Sequence, residues 1–228
     1  MAIEAVIFDL DGTLAHFNLD FKALRAEVRG YLMRTGVPAS VLNVNESIFE
    51  ILGKTEIFFK NGDKSKSAKV FGAIRAEALA IAEKYEMEAA STTNLQSGAV
   101  ETLKELKGMK LKMGLCTTNS EKAAKYILQR FKIDDFFTTI VPRDRVKYVK
   151  PNTEQFELAL AALSANAPQT VIVGDSVADM QSAKELKAIA VGIPTGTATL
   201  DQLKENSANY IITALSDLPR LIKEINKQ

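Results

Sequence analysis

From about residue 99 to the C-terminus, short apolar runs rich in β-branched residues alternate with segments of helical period, and that alternation leaves few architectures open. A strand followed by an amphipathic helix returns parallel to its neighbour, so repeated units build a parallel sheet with helices on both faces. The strand candidates are residues 4–9, 111–116, 137–141, 170–174, 189–193 and 209–212. Ser120 is placed to cap a helix carrying Ala124, Ile127, Leu128 and Phe131. Asn152 or Thr153 is placed to cap one carrying Phe156, Ala159, Leu160 and Leu163. A last helix repeats the spacing with Leu218, Leu221, Ile222 and Ile225.

Residues 16–95 break this pattern and read as helix after helix, an inserted domain immediately after the first strand. Its helical candidates are 21–33, 46–59 and 67–87, separated by the turn signals Gly36-Val37-Pro38 and Asn61-Gly62-Asp63. The expected division is an α/β core of 1–15 with 96–228 and an α-helical domain of 16–95, joined near 14–18 and 92–98. The run from Ser91 to Gly98 is rich in small polar residues and reads as a loop. The basic tract 60–69 reads as solvated surface with some pull on phosphate.

The chain has 228 residues, 46% hydrophobic and 25% charged, enough to bury a full core. Its 29 basic and 28 acidic residues nearly cancel, so no bulk field favours nucleic acid or an anionic membrane, and any anion must be held locally. The first apolar run breaks at Asp9 without a basic segment before it, and no stretch approaches the ~20 apolar residues of a membrane span. A cytoplasmic protein is expected. Cys116 is the sole cysteine, which excludes an intrachain disulfide and an all-cysteine metal site; in its apolar run it reads as a small buried hydrophobe.

Open Rossmann-like sheets bind ligands outside the carboxyl ends of their strands, so the informative residues are those that end the strand candidates. The first run ends in Asp9-Leu10-Asp11-Gly12-Thr13, two carboxylates two residues apart before a glycine turn. Such a pattern arises by chance in about one chain of this length per thousand, so it weighs heavily. One strand-end carboxylate can attack phosphorus while the second, on the same side, manages the leaving group's proton. The second strand ends in Thr117-Thr118-Asn119, the third is followed by Lys150-Pro151, and the fourth by Gly174-Asp175-Ser176-Val177-Ala178-Asp179. Asp9 and Asp175 can hold a magnesium ion, a hard cation that takes oxygen ligands. Thr117 and the Thr118 amide can donate to a phosphoryl group, and Lys150 adds a fixed positive charge.

In this order and spacing, the four segments resemble the motifs of the haloacid dehalogenase superfamily of phosphohydrolases over essentially the whole chain. The resemblance implies Asp9 as nucleophile forming an aspartyl-phosphate and Asp11 as general acid, then base. It implies Thr117 and Lys150 as the phosphate-binding pair, with Gly12 and Thr118 beside them. Mg2+ is implied as cofactor, on Asp9, Asp175, the backbone carbonyl of Asp11, and Asp179 directly or through water. The helical insertion resembles the small α-helical cap of the subgroup that contains phosphoglycolate phosphatases, where the cap helps to select substrates. A small phosphorylated metabolite, phosphoglycolate or a sugar phosphate, is the implied substrate.

The segment from Tyr148 to Thr153 departs from the family pattern: it lacks the glycine often found before the lysine and the second proline often found after it. Asp11 argues against the dehalogenase and phosphonatase branches, which usually replace it. A sugar-phosphate mutase would keep it and stands as the alternative. A binding protein that had lost catalysis would be free to lose Asp9 or Lys150, and neither is lost. Gly53-Lys54-Thr55 is no phosphate loop, because Ile48 stands where the first glycine is required. His16, at the start of the insertion, and Arg143 with Arg145 after the third strand are further candidates for contact with an anion.

Overall fold

Along the first strand Val6 and Phe8 face one side and Ala5 and Ile7 the other, and two hydrophobic layers form accordingly. The computed structural model describes residues 2–16, 18–61 and 67–227. Residues 62–66, half of the basic tract and including the Gly62-Asp63 part of the turn signal, lie outside the described residues. The elements are β1 (Ala5–Phe8), α1 (Phe21–Arg34), α2 (Ile48–Lys60), α3 (Ser67–Thr92), α4 (Ala99–Gly108), β2 (Lys112–Cys116), α5 (Glu121–Arg130) and β3 (Thr139–Val141). They continue with α6 (Glu154–Leu163), β4 (Thr170–Gly174), α7 (Val177–Leu186), β5 (Ile189–Gly192), α8 (Leu200–Glu205), β6 (Tyr210–Ile211) and α9 (Leu218–Ile225).

The strands pair in the order β3-β2-β1-β4-β5-β6, all parallel. Ala5 lies opposite Lys112 and Thr170, and Phe8 opposite Leu115 and Val173, so β1, β2 and β4 end at the same level. Each strand candidate contains one of these strands, and 170–174 coincides with β4. The strand order reverses between β1 and β4, which opens a crevice at their carboxyl ends. On one face Val6, Phe8, Met113, Leu115, Val171 and Val173 pack against Leu103, Ile127 and Ile222 of α4, α5 and α9. On the other, Ala5, Ile7, Ile172 and Ala190 pack against Phe156, Met180 and Leu203 of α6, α7 and α8. Buried on both sides, the central strands consist of continuous apolar runs.

Caps follow the expected chemistry. The Ser120 hydroxyl accepts from the Ala123 N–H at 3.2 Å. At α6 the structure distinguishes the two candidates: Thr153 occupies the cap position without a capping bond, while the Asn152 side chain accepts from the Glu154 N–H at 3.0 Å. Ser47 and Glu50 form a reciprocal capping box, which moves the start of α2 to Ile48.

The chain divides into two units, residues 1–18 with 90–228 and residues 19–89. The second unit has its own core, in which Leu24, Val28 and Leu32 of α1, Ile51 and Leu52 of α2, and Ile74, Ala78 and Ala82 of α3 pack together. Tyr85 donates from its hydroxyl to Glu27 at 2.6 Å across α3 and α1.

Ser91 and Thr92 are helical, contrary to the loop expected from Ser91 onward. Their side chains face water, Ala90 is buried in the first unit's core, and Arg130 donates to the carbonyls of Ala90 and Thr93 at 3.0 and 2.8 Å. The guanidinium satisfies carbonyls that a helix end leaves open, and this outweighs the weak helix preference of Ser and Thr. Beyond the helix the two connecting segments pair. Ala15 bridges Leu95, the His16 N–H donates to Asn94 and the Gln96 N–H to Leu14, each at 2.8 Å.

Candidate active site

The reversal of strand order brings Asp9, one residue past β1, beside Asp175, one residue past β4. Asp9 continues the ladder, its N–H donating to Val173 at 2.9 Å, which fixes where its carboxylate stands. Asp179 comes from the first turn of α7 and is fully buried. Carboxylate oxygens of Asp9, Asp175 and Asp179 all lie within 4.8 Å of one another.

Lys150 reaches this cluster from the loop before α6. Its Nζ donates to Asp9 Oδ1 at 2.5 Å, to Asp179 Oδ1 at 2.7 Å and to the Cys116 carbonyl at 3.3 Å. Burial would lower the ammonium's pKa, but attraction to Asp179 and Asp9 outweighs it and keeps the group charged. Burial pushes the Asp9 carboxyl well above the usual carboxylate range; Lys150 pulls it back, and Asp179 and Asp175 push it further up. Asp175 is raised by burial and then by Asp179.

Asp175 is clamped from two sides. Its Oδ2 accepts from the Thr197 N–H at 2.7 Å and the Thr197 hydroxyl at 3.1 Å, and its Oδ1 from the Thr13 hydroxyl at 3.4 Å. Gly12, at φ +84°, lies so close that a Cβ there would stand 2.6 Å from Asp175 Cγ, and a Cβ on Gly196 would overlap the same carboxylate. Gly12 therefore serves the approach of a carboxylate as well as the turn. Asp179 Oδ2 accepts from the Ser176 hydroxyl at 2.5 Å and its N–H at 3.2 Å, so the α7 cap orients the carboxylate whose other oxygen meets Lys150.

Asp11 meets the turn that follows β2. Its Oδ2 accepts from the Asn119 side chain at 2.5 Å. The Asn119 N–H donates to Thr117 Oγ1 at 3.1 Å. Thr118 is held through its carbonyl, which accepts from Arg143 at 3.2 Å, while the Arg143 N–H donates to the Asn119 carbonyl at 3.2 Å. The two arginines thus differ: Arg143 is buried behind the Thr117–Asn119 turn, whereas Arg145 is exposed and faces Glu121. His16 is exposed and joins the structure through its backbone. Cys116 is buried, its thiol pushed up by burial, as suits an inert packing residue. Asn119, Thr197, Gly196 and Gln155, whose side chain joins Lys150 to Thr117, lay outside the expected site set.

The cluster sets three buried carboxylates against one ammonium. Such an excess of negative charge on hard donors fits a divalent cation such as Mg2+, which would offset the burial that chiefly raises Asp9 and Asp175 and the repulsion that adds to it.

Residues 6–193 match the family described as haloacid dehalogenase-like hydrolase. The chain belongs to that family. Among relatives of this haloacid dehalogenase-like hydrolase, pyrophosphatase PpaX of Bacillus mycoides (strain KBAB4) is 26% identical over 231 residues, spanning 99% of this chain and 100% of the relative. A hydrolase from Pseudomonas syringae has the same fold at a TM-score of 0.69, with 24% identity over 97% of this chain and 99% of that one. The β-phosphoglucomutase of Clostridium difficile superposes at a TM-score of 0.68, with 21% identity over 99% of this chain and 100% of its own.

The close seating of Asp175 yields a test. Gly12→Ala is expected to lose about 1–2 kcal/mol through its left-handed backbone alone, and more through the 2.6 Å approach to Asp175. Urea denaturation of the variant beside the parent chain checks it.

Proposed function

We propose that the chain is a magnesium-dependent phosphatase that hydrolyses a small phosphorylated metabolite through an aspartyl-phosphate on Asp9. The observation that carries this reading is the buried Asp9-Lys150-Asp179 chain beside Asp175, with Asp11 held separately by Asn119. It provides a nucleophile, a charge partner and a distinct proton carrier at one strand edge.

In this reading Lys150 neutralises Asp9 and the incoming phosphoryl oxygens. Thr117 Oγ1 accepts from Asn119 and so can direct its own proton at a phosphoryl oxygen, and the Thr118 amide adds a second donor. An Asp9 oxygen forms a bond to phosphorus as the bond to the leaving oxygen breaks, and Asp11 protonates that oxygen. Asp11, now a carboxylate, takes a proton from water as the water oxygen bonds to phosphorus. Phosphate then leaves and Asp9 is restored. Asp9, Asp175 and the backbone carbonyl of Asp11 would hold the metal, with Asp179 as a further ligand or a partner through water. Bound there, it would neutralise charge on the transferring phosphoryl group.

Two substrate classes deserve direct comparison. The cap-bearing subgroup that the chain resembles supports phosphoglycolate or a sugar phosphate, and the full-length likeness to a protein named pyrophosphatase supports inorganic pyrophosphate. Substrate selection is assigned to the helical unit 19–89, as that resemblance implies. A panel of phosphorylated metabolites and pyrophosphate, read by released phosphate with Mg2+ and with chelator, tests the proposal. Activity that survives full chelation, or its absence on every compound, overturns it.

Asp9→Asn is expected to abolish turnover while the protein keeps its fold, since the amide cannot attack phosphorus. Single-turnover assays and circular dichroism check both halves. Lys150→Met keeps the aliphatic stem and removes the ammonium from two carboxylates. We expect kcat to fall by about a hundredfold or more, whereas an ordinary exposed lysine would change little; steady-state kinetics decide.

A further inference from the structure

Gln155 is the second residue of α6, a place where a glutamine ordinarily faces water, yet it is 0% exposed. Its Oε1 accepts from the Lys150 N–H at 3.2 Å. Its Nε2 donates to the Thr117 carbonyl at 2.8 Å and to the Val141 carbonyl at 3.0 Å. Two carbonyls at one end and an N–H at the other leave one orientation for the amide. A single side chain thereby ties the end of β2, the end of β3 and the loop that carries Lys150. The Cys116 thiol adds a weak bond to the Gln155 carbonyl at 3.4 Å.

The loop needs such a tie. Asn152 and Thr153 follow Pro151, so no second proline ring restricts the backbone there. Its register rests on side chains of α6: the Glu154 carboxylate accepts from the N–H groups of Lys147 and Tyr148 at 3.1 and 2.9 Å, and Gln155 accepts from Lys150. The Glu154 bonds are exposed and compete with water. Those of Gln155 are buried; breaking them takes these partners from the Lys150 N–H and the Thr117 carbonyl, while the Val141 carbonyl keeps its bond from the Thr117 N–H at 3.1 Å.

We propose that Gln155 is a positioning residue that sets the spacing of the Thr117 hydroxyl and the Lys150 ammonium, and with it the fit of the site to a phosphoryl group. The proposal rests on the reading above that these two residues bind that group. Gln155 touches neither substrate nor metal; it acts through the backbone on either side of them.

The test compares Gln155→Met, which keeps the length and loses every bond, with Gln155→Glu, which keeps the acceptor for Lys150 and sets oxygen against two carbonyls. Thr170→Val is the control: it removes a part-buried bond of a buried side chain, from Thr170 to the Asn166 carbonyl at 2.8 Å, at the opposite end of β4. The full chain with Mg2+ is measured three ways: thermal midpoint, orthovanadate affinity by titration calorimetry, and kcat and KM on p-nitrophenyl phosphate. Both Gln155 variants are expected to bind orthovanadate at least about tenfold more weakly and to lose kcat by a similar factor. The control should keep both values despite a lowered midpoint. Gln155 variants within about twofold of the parent in affinity and kcat, a control that loses as much as they do, or failure of both variants to fold would each overturn the proposal. A parent chain that binds orthovanadate without hydrolysing esters overturns the phosphatase reading instead, and the affinities then judge Gln155 alone. A parent that binds no orthovanadate overturns both.

Discussion

One buried ammonium holds the carboxyl edge of this sheet together. Lys150 sits between Asp9 and Asp179, and without it three carboxylates would crowd together with little exposure to water. The cost of desolvating such charges is met only when partners are close and well aimed. The surrounding structure reads as the means of aiming them: parallel strands that end level, a helix cap that turns Asp179, and glycines that let backbone approach Asp175.

The same arrangement separates two carboxylates by environment. Asp9 is buried among like charges with Lys150 as its counterion, while Asp11, two residues on, meets the neutral amide of Asn119. Residues alike in sequence are therefore held by unlike partners, an ammonium for one and a carboxamide for the other. The buried Arg143 serves this division at one remove, because it fixes the turn from which Asn119 reaches Asp11.

The strands were legible because each is an apolar run stopped by polar residues, and the site candidates because they sit at those stops. Asp9, Asp11, Thr117 and Asp175 stand at or just past such stops, whereas Lys150 lies well beyond the end of β3, in the loop before α6. Asn119 was visible at a strand end, but its partner lies 108 residues away and no local pattern pairs the two. Gln155 was harder still: a polar residue at a helix start looks solvated until the packing of α6 against β2 and β3 turns it inward. Ser91 and Thr92 misled for a related reason, since a distant arginine satisfies the backbone there. Long-range hydrogen bonds are what residue types and spacing do not encode.

The paired segments at Ala15 and Leu95 carry a consequence for the history of such chains. Departure and return of the helical insertion are fastened to each other within the core unit, so the core closes on itself at that point like a stem beneath a graft. Material of another length or shape could be spliced above this stem while β1 and α4 kept their places. A chain built this way can change its helical unit while the strand ends that carry Asp9 and Asp175 stay in place.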